Sequence, residues 1–236
     1  ELQAMTNGYL LSFEGPDGAG KTSVIQQIQR ELEDQLGTEK VMYTREPGGN
    51  KISEQIRKVL FDGQNTDMDG RTEALLFAAA RRQHIVSEII PGLKAGKVIL
   101  CDRFVDSSIA YQGAGRGLGE KEIWQINQFA IDGLMPALTI YLDIESEIGL
   151  KRIAEHRSNQ VNRLDEEKLE FHRTVRQSYL KLYQNYPERI KLIDASQPLE
   201  KVIEDVKTTI HDRFSDLFKK RVINNENDYC NCSIKG

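Results

Sequence analysis

Apolar runs alternate with segments of helical spacing along most of the chain. Short apolar runs between polar or glycine-rich segments predict strands buried on both faces. Such runs predict strands at residues 9–13, 40–44, 97–101, 138–142 and 190–193. Apolar residues at helical spacing predict helices at residues 22–36, 51–61, 71–90, 120–134, 145–155, 165–186 and 198–218, the third ending at Pro91. This alternation predicts an α/β fold, in which helices flank both faces of a five-stranded parallel sheet.

Composition narrows the class of protein without naming a function. The chain has 236 residues, of which 29% are charged and 39% hydrophobic, which is the balance of a globular protein. We expect one domain over residues 5–218 and a polar tail over residues 219–236. The net charge of −4 gives no reason to expect a nucleic-acid partner. No apolar run approaches the ~18 residues of a membrane span, so we expect no membrane partner.

The three cysteines favour a reducing compartment. Cys101 lies in an apolar run and is interpreted as buried core. Cys230 and Cys232 are close together, but two thiolates do not complete a tetrahedral zinc site and no histidine is near. We interpret that pair as part of the tail, and we expect a cytoplasmic protein.

One glycine-rich motif predicts a phosphate site. Residues 15–22 read Gly-Pro-Asp-Gly-Ala-Gly-Lys-Thr and match the P-loop pattern at every fixed position, between a predicted strand and a predicted helix. Glycines let successive N–H groups point at one phosphate, and the helix start adds positive potential. The fold class is therefore a three-layer P-loop NTPase fold. The residues predicted to bind ATP are Gly15, Pro16, Asp17, Gly18, Ala19, Gly20, Lys21, Thr22 and Ser23.

Three further motifs separate this chain from other P-loop proteins. Residues 44–49 read Thr-Arg-Glu-Pro-Gly-Gly, residues 76–82 read Leu-Phe-Ala-Ala-Ala-Arg-Arg, and residues 102–112 begin Asp-Arg-Phe. The Asn-Lys-x-Asp motif with which GTPases read guanine is absent from the sequence. In these motifs and their order, the chain resembles the bacterial thymidylate kinases over residues 9–215. The resemblance implies ATP and dTMP as substrates.

The first two motifs carry candidate acceptor residues. Arg45 follows a strand, where its planar fork can grip an acceptor phosphate, and the turn at Pro47 holds Arg45 and Glu46 at the site. Phe77 and Arg81 are four residues apart on one helix face, so Phe77 can stack on a flat base and Arg81 can donate to a base carbonyl. The resemblance implies that these two positions contact thymine. Arg57 is expected on the same side.

The third motif carries both metal and acceptor candidates. Asp102 ends a strand, where such an acid reaches Mg²⁺, and Thr22 is the second predicted Mg²⁺ ligand. Arg103 is predicted to bridge the reacting phosphates. Ser108, Tyr111 and Gln112 have helical spacing, which predicts one patch: Tyr111 against the deoxyribose, with Ser108 and Gln112 on the base edge. Asp17 is expected to face the acceptor sugar.

A short lid is expected at about residues 155–165. Some thymidylate kinases carry an arginine in the P-loop, but here Gly18 follows Asp17, so positive charge must come from elsewhere. The polar segment at residues 156–164 supplies Arg157 and Arg163, and Arg152 lies just before it. The predicted catalytic set is therefore Lys21, Asp102, Arg103 and Arg157, and which lid arginine contacts phosphate stays open.

The expected reaction is phosphorylation of dTMP to dTDP by ATP·Mg²⁺. One alternative is a kinase for another nucleotide or for a deoxynucleoside, in which Glu14 is the obvious candidate base. A second alternative is a nucleotide-binding module that transfers nothing. A single methyl group separates dTMP from dUMP, so the sequence leaves that selectivity open. The resemblance implies a homodimer, for which the helices predicted at 71–90 and 120–134 offer apolar faces.

Overall fold

The computed structural model describes residues 7–156 and 167–215. Five strands form one parallel sheet in the order β2-β3-β1-β4-β5. The strands are β1 (Tyr9–Glu14), β2 (Val41–Arg45), β3 (Val98–Asp102), β4 (Leu138–Asp143) and β5 (Ile190–Asp194). The predicted five-stranded parallel sheet is confirmed, and the strand bounds differ by a residue or less from those expected.

Helices cover both faces of this sheet. They are α1 (Lys21–Leu36), α2 (Lys51–Phe61), α3 (Gly70–His84), α4 (Ile90–Lys94), α5 (Val105–Ser108), α6 (Glu120–Ile131), α7 (Ser146–His156), α8 (Leu169–Asn185) and α9 (Leu199–Arg213). The predicted three-layer arrangement is confirmed. The helices predicted at 165–186 and 198–218 lie partly outside the described residues. The predicted tail, which includes Cys230 and Cys232, lies wholly outside them.

The alternation of side chains along β1 divides the core in two. Leu11 and Phe13 face one side of the sheet, where they pack with Val24 of α1 and Val206 of α9. Leu10 faces the other side, in the cluster formed with α3, α4, α6 and α8. Both faces of the sheet are therefore buried, which explains why the strands read as continuous apolar runs. Cys101 is buried and free, as the sequence predicts.

Pro91 does not end the long helix, and this expectation was wrong. After α3 the chain makes a π-helical turn over Ile85–Ile89 and continues as α4 through Pro91. Proline is tolerated in the first turn of a helix, because an N–H there has no intrahelical acceptor. The π-helical turn restarts the helix at Ile90, which puts Pro91 in such a first turn.

The carboxyl ends of the central strands meet at one edge. Arg45 of β2 and Phe13 of β1 both pair in register with Asp102 of β3. The motif residues that follow these strands are therefore brought to the same edge, as expected for a ligand site in a parallel sheet. Among the described helices, none is both long enough and apolar enough to span a membrane.

Candidate active site

A cavity of about 950 Å³ opens at this edge of the sheet. The P-loop lines one part of it, and the segments after β2 and β3 line another. Most of the predicted site residues lie on this cavity: Asp17, Gly18, Ala19, Gly20, Lys21, Thr22, Ser23, Arg45, Glu46, Pro47, Arg57, Phe77, Arg81, Asp102, Arg103, Ser108, Tyr111 and Gln112. Arg157 and Arg163 lie outside the described residues, as does the part of the predicted lid (residues 155–165) that begins at residue 157.

The P-loop takes its shape from glycine. Gly15 has φ of 137°, and a Cβ there would lie 2.4 Å from the carbonyl oxygen of Leu142. Gly18 has φ of 81°, and a Cβ there would lie 2.2 Å from the carbonyl oxygen of Gly149 on α7. Any other residue would therefore push the loop away from its supports. The loop leads directly into α1, whose first N–H groups have no intrahelical acceptor and can bind an anion.

Lys21 provides a buried positive charge within the loop. Its Nζ donates to the carbonyl oxygens of Gly15 at 2.9 Å and Pro16 at 3.0 Å, and lies 3.8 Å from Asp17. Burial, and after it the charge of Arg103, lowers the pKa of Lys21 to about 8. A phosphate placed in the loop would favour the protonated form, so anion binding and protonation of Lys21 are coupled.

Asp102 offers an acceptor at the end of β3. Its Oδ1 is buried and accepts no hydrogen bond from any described residue. A buried carboxylate oxygen without a donor is costly, and a hydrated cation would satisfy it. Thr22 lines the same cavity. The two predicted metal ligands thus fit Mg²⁺ in their chemistry.

Arg103 is held in a conformation that few residues adopt. Its φ is 70°, and its N–H donates to the carbonyl oxygen of Phe13 at 2.9 Å. The side chain turns into the cavity and donates to both carboxylate oxygens of Asp17 at 3.1 Å, and to Tyr111 Oη at 3.3 Å. Asp17 therefore pairs with Arg103 in this structure, and Arg103 lies between the P-loop and the predicted acceptor residues.

Two arginines converge on the turn after β2. Arg45 and Arg57 both donate to the carbonyl oxygen of Pro47, at 3.1 Å and 2.9 Å. Glu54 accepts from Arg45 at 3.0 Å and so fixes one side of its guanidinium. Arg57 also lies over the ring of Phe61, 4.6 Å from its centre. This arrangement concentrates positive charge at the cavity wall, where an acceptor phosphate could bind.

An aromatic pair continues this wall. Phe77 of α3 is half-buried and packs edge-on against Phe61, with ring centres 6.2 Å apart. Both rings line the cavity. Phe61 and Tyr43 are lining residues that the sequence reasoning missed, because neither belongs to a recognised motif. A flat base could stack on the face of Phe77 that is not covered by Phe61.

Arg81 is buried in a hydrogen-bond network. It donates to Glu46 at 2.6 Å, to Ser108 at 2.9 Å, to the carbonyl oxygen of Phe104 at 3.0 Å, and to Asn127. Among the described residues, these acceptors use four of the five N–H groups of the guanidinium. Glu46 also accepts from His84, and despite the opposing effect of burial, Arg81 and His84 hold its pKa below the usual value. Both oxygens of Glu46 thus position Arg81 and His84.

Ser108, Tyr111 and Gln112 line the cavity from one helical segment. Ser108 ends α5, and Tyr111 and Gln112 lie on the π-helical turn over Ile109–Gly115 that follows it. Ser108 accepts from Arg81, and Tyr111 accepts from Arg103. The three predicted residues therefore share the cavity, and two of them contact the arginines Arg81 and Arg103.

Glu14 is not available as a base. It is fully buried, does not line the cavity formed by the described residues, and accepts hydrogen bonds from Phe104 N, Ser107 Oγ and Tyr179 Oη. Burial, followed by the charge of Asp106, raises the pKa of Glu14 to about 7. Its contacts join β1 to α5 and α8, which is a role inside the core.

Another part of the cavity is lined by Arg152 of α7, together with Ala195–Leu199 and Val202. The sequence analysis named Arg152 beside the lid but missed the other residues. Arg152 donates to the carbonyl oxygen of Ala195 at 3.1 Å and is 3.4 Å from that of Gly18. The position of residues 195–199 directly after the last strand was a usable signal, because such segments lie at the carboxyl edge of the sheet.

The fold and the cavity together define a P-loop phosphotransferase, with a phosphate-binding loop and a second, arginine-lined pocket that meet at Arg103. The family model described as Thymidylate kinase matches residues 13–206. The chain belongs to the thymidylate kinase family.

Relatives agree with this assignment. The chain is 96% identical over 212 residues to the thymidylate kinase of Limosilactobacillus reuteri (strain DSM 20016), covering 90% of this chain and 100% of that protein. It is 64% identical over 196 residues to that of Latilactobacillus sakei subsp. sakei (strain 23K), covering 83% and 91%. The crystal structure of thymidylate kinase from Ehrlichia chaffeensis has a TM-score of 0.71 and 32% identity, covering 86% of this chain and 98% of that one.

Proposed function

We propose that this protein transfers the γ-phosphoryl group of ATP to dTMP, giving ADP and dTDP in the synthesis of dTTP. The observation that carries the proposal is a single cavity that is lined both by the P-loop and by an arginine–phenylalanine pocket. Two nucleotides bound in this way would meet at Arg103. Membership of the thymidylate kinase family supports the choice of dTMP.

The residues of the cavity suggest how transfer is assisted. A dTMP phosphate oxygen is already an anion, so it can attack in line without a general base. Arg45 and Arg57 would hold the acceptor phosphate, Arg103 would contact both phosphates, and Lys21 would neutralise the donor. Phosphoryl transfer gains most from such fixed positive charge. Arg157 remains a prediction for additional charge.

We propose that Mg²⁺ accompanies ATP at Thr22 and Asp102. The Thr22 hydroxyl is a suitable ligand, and the unsatisfied Asp102 Oδ1 would accept from water bound to the metal. When bound, Mg²⁺ neutralises charge on the donor phosphates.

The end of the cavity lined by Arg152 and residues 195–199 would take the donor base. Its walls combine a flat guanidinium with the apolar side chains of Pro198, Leu199 and Val202. A purine ring can stack on such a guanidinium and pack against such an apolar wall. ATP would then span from this end to the P-loop.

The acceptor side argues against a deoxynucleoside kinase. A neutral hydroxyl acceptor needs a base, and Glu14, which the sequence suggested for that role, is buried and engaged by three donors. Arginines at the acceptor wall suit an anionic acceptor instead. The structure offers no observation that favours a module without activity.

We further propose a homodimer built on α3 and α6. Phe129 of α6 is 90% exposed, and Leu75 of α3 and Val86 just after it are exposed as well. Exposed large apolar residues on neighbouring helices favour an interface with another copy. Light scattering should show a dimer, and Phe129→Glu should shift it toward monomer. A monomer in the parent protein at high concentration would reject this proposal.

We also propose that residues 5–218 act as one domain, because one sheet and its flanking helices extend through the described part of this range. A cytoplasmic location is proposed from the substrates, since ATP and nucleoside monophosphates are cytoplasmic metabolites.

A coupled assay of ADP release tests the proposed function. ATP and Mg²⁺ are supplied alone, and then with dTMP, dUMP, dCMP, dGMP or thymidine. We expect strong stimulation by dTMP and little by thymidine. Release that dTMP does not stimulate would reject the proposal, and stimulation by thymidine would favour the nucleoside kinase alternative. The dTMP-to-dUMP ratio would show how much the single methyl group contributes, for which ~1–3 kcal/mol is expected.

A further inference from the structure

The carboxamide of Gln112 is held from behind by a buried carboxylate. Gln112 lines the cavity, and its Nε2 donates to Glu73 Oε1 at 2.9 Å. Glu73 lies in the first turn of α3, is fully buried, and is not among the described residues that line the cavity. Glu73 therefore acts on the site only through other side chains.

An ionised carboxylate can only accept hydrogen bonds. Gln112 must therefore turn its NH₂ group toward Glu73. Because the carboxamide is planar, its oxygen lies on the opposite side and is the atom offered to the cavity. Without an acceptor oxygen fixed at this point, both orientations of the amide would be available.

Arg116 pairs with both oxygens of Glu73. Its Nε donates to Glu73 Oε1 and its Nη2 donates to Glu73 Oε2, both at 3.3 Å. Arg116 is itself held by Glu167 and lies over the ring of Phe171, 5.1 Å from its centre. A buried carboxylate needs such a cation, so Arg116 maintains the acceptor that orients Gln112.

We propose that Glu73 is a positioning residue that selects the acceptor base. It fixes Gln112 as a hydrogen-bond acceptor on the cavity that Arg81 also lines, and the described residues leave one N–H of Arg81 as a donor. This pair matches the N3–H and O4 of thymine or uracil. Cytosine presents the reverse pattern, an acceptor at N3 and a donor at N4, and would leave both protein groups unpaired. The inference rests on the proposed function and adds the origin of its base selectivity.

Two conservative variants separate positioning from a structural ion pair. Glu73→Asp keeps the charge that pairs with Arg116 but withdraws the oxygen from Gln112 by one methylene. Glu73→Gln loses the charge but can keep an oxygen at the same point, because the N–H of Arg116 also donates to the oxygen at that point. Glu167→Gln is the matched control, because it removes another carboxylate from Arg116 without contacting Gln112.

The measurement is kcat/KM for dTMP and for dCMP, with the KM for ATP and a thermal melt for each variant. We expect Glu73→Asp to lower the dTMP-to-dCMP ratio by about tenfold or more, mainly through the KM for dTMP. Glu73→Gln and Glu167→Gln should keep the ratio within about threefold of the parent. The KM for ATP should stay unchanged in all three.

The opposite ranking would overturn the inference. If Glu73→Gln lowers the dTMP-to-dCMP ratio and Glu73→Asp keeps it, the carboxylate charge of Glu73 matters only for structure. An unchanged ratio in Glu73→Asp would contradict positioning as well. Parent protein without dTMP-stimulated ADP release would instead reject the proposed function, so the two failures are distinguishable.

Discussion

The two ends of the cavity are built in different ways. The P-loop end is one continuous segment, in which glycines, a lysine and a helix start supply nearly everything that a phosphate needs. The acceptor end takes side chains from β2, α2, α3 and the π-helical turn after α5. There, Arg81 and Glu46 are buried and bonded to one another within a larger network.

This difference shows where specificity is stored. The donor end depends on backbone shape and a single charge, so it can bind the phosphates of many nucleotides. The acceptor end depends on a buried polar network, in which each group orients the next. Such networks are costly when incomplete, which makes them effective at rejecting the wrong ligand. Damage at the donor end should therefore affect turnover, and damage at the acceptor end should affect stability and selectivity.

Lys21→Ala should have the largest effect on turnover. It removes the charge of the loop while the glycines that shape the loop remain, so the fold should survive. We expect kcat to fall about 10³-fold or more, from loss of transition-state charge stabilisation. Steady-state kinetics with a circular dichroism control would measure this. Turnover like that of the parent protein would remove Lys21 from the mechanism.

Arg81→Met should reduce stability more than any other change at the acceptor end. It leaves Glu46 buried without its cation, which costs about 3–5 kcal/mol in the free energy of unfolding. Arg45→Met is the matched control, because Arg45 and its partner Glu54 are each more than a third exposed and their pair contributes at most ~1 kcal/mol. Urea denaturation would compare the two, and equal losses would contradict the contrast drawn between buried and exposed arginines.

The pH dependence of ATP binding should report on Lys21. With a pKa of about 8 in the free protein, Lys21 is increasingly neutral above that pH, whereas bound phosphate favours its protonated form. Binding must then take up a proton, so affinity falls as pH rises. Calorimetry should give a dissociation constant about 20-fold larger at pH ~9.5 than at pH ~7.5. In Lys21→Met the dependence should largely disappear; if it persists, another group is responsible.

Phe77→Leu should produce the smallest of these effects. It removes a flat stacking face while keeping an apolar side chain, so we expect the KM for dTMP to rise about fivefold, equivalent to ~1 kcal/mol of stacking. The KM for ATP should not change, because Phe77 lies in the acceptor pocket. A rise in the KM for ATP instead would place the two nucleotides the other way round.

The sequence predicted the donor end and the sheet well because both are local. Apolar runs specify the strands, and residues 15–22 form a contiguous motif. The acceptor residues were also predicted from the sequence, but only through the resemblance, because the spacing of Phe77 and Arg81 alone favours a core phenylalanine and a solvent-exposed arginine.

The remaining features depend on tertiary contacts. Pro91 looked like a helix end because its local effect is to break helices, and the π-helical turn that accommodates it leaves no motif. Residues 195–199 carry no signature beyond their place after the last strand. The network in which Arg81 donates to Glu46, Ser108, Phe104 and Asn127 follows from groups brought together from distant segments.

Following the label of γ-³²P-ATP tests the central claim most directly, namely that the two ends hold donor and acceptor for one transfer. The protein is incubated with labelled ATP, Mg²⁺ and dTMP, and the products are separated. We predict that the label appears at the β-phosphate of dTDP, in step with ADP, and only when dTMP is present. Label released as inorganic phosphate, without labelled dTDP, would contradict the account.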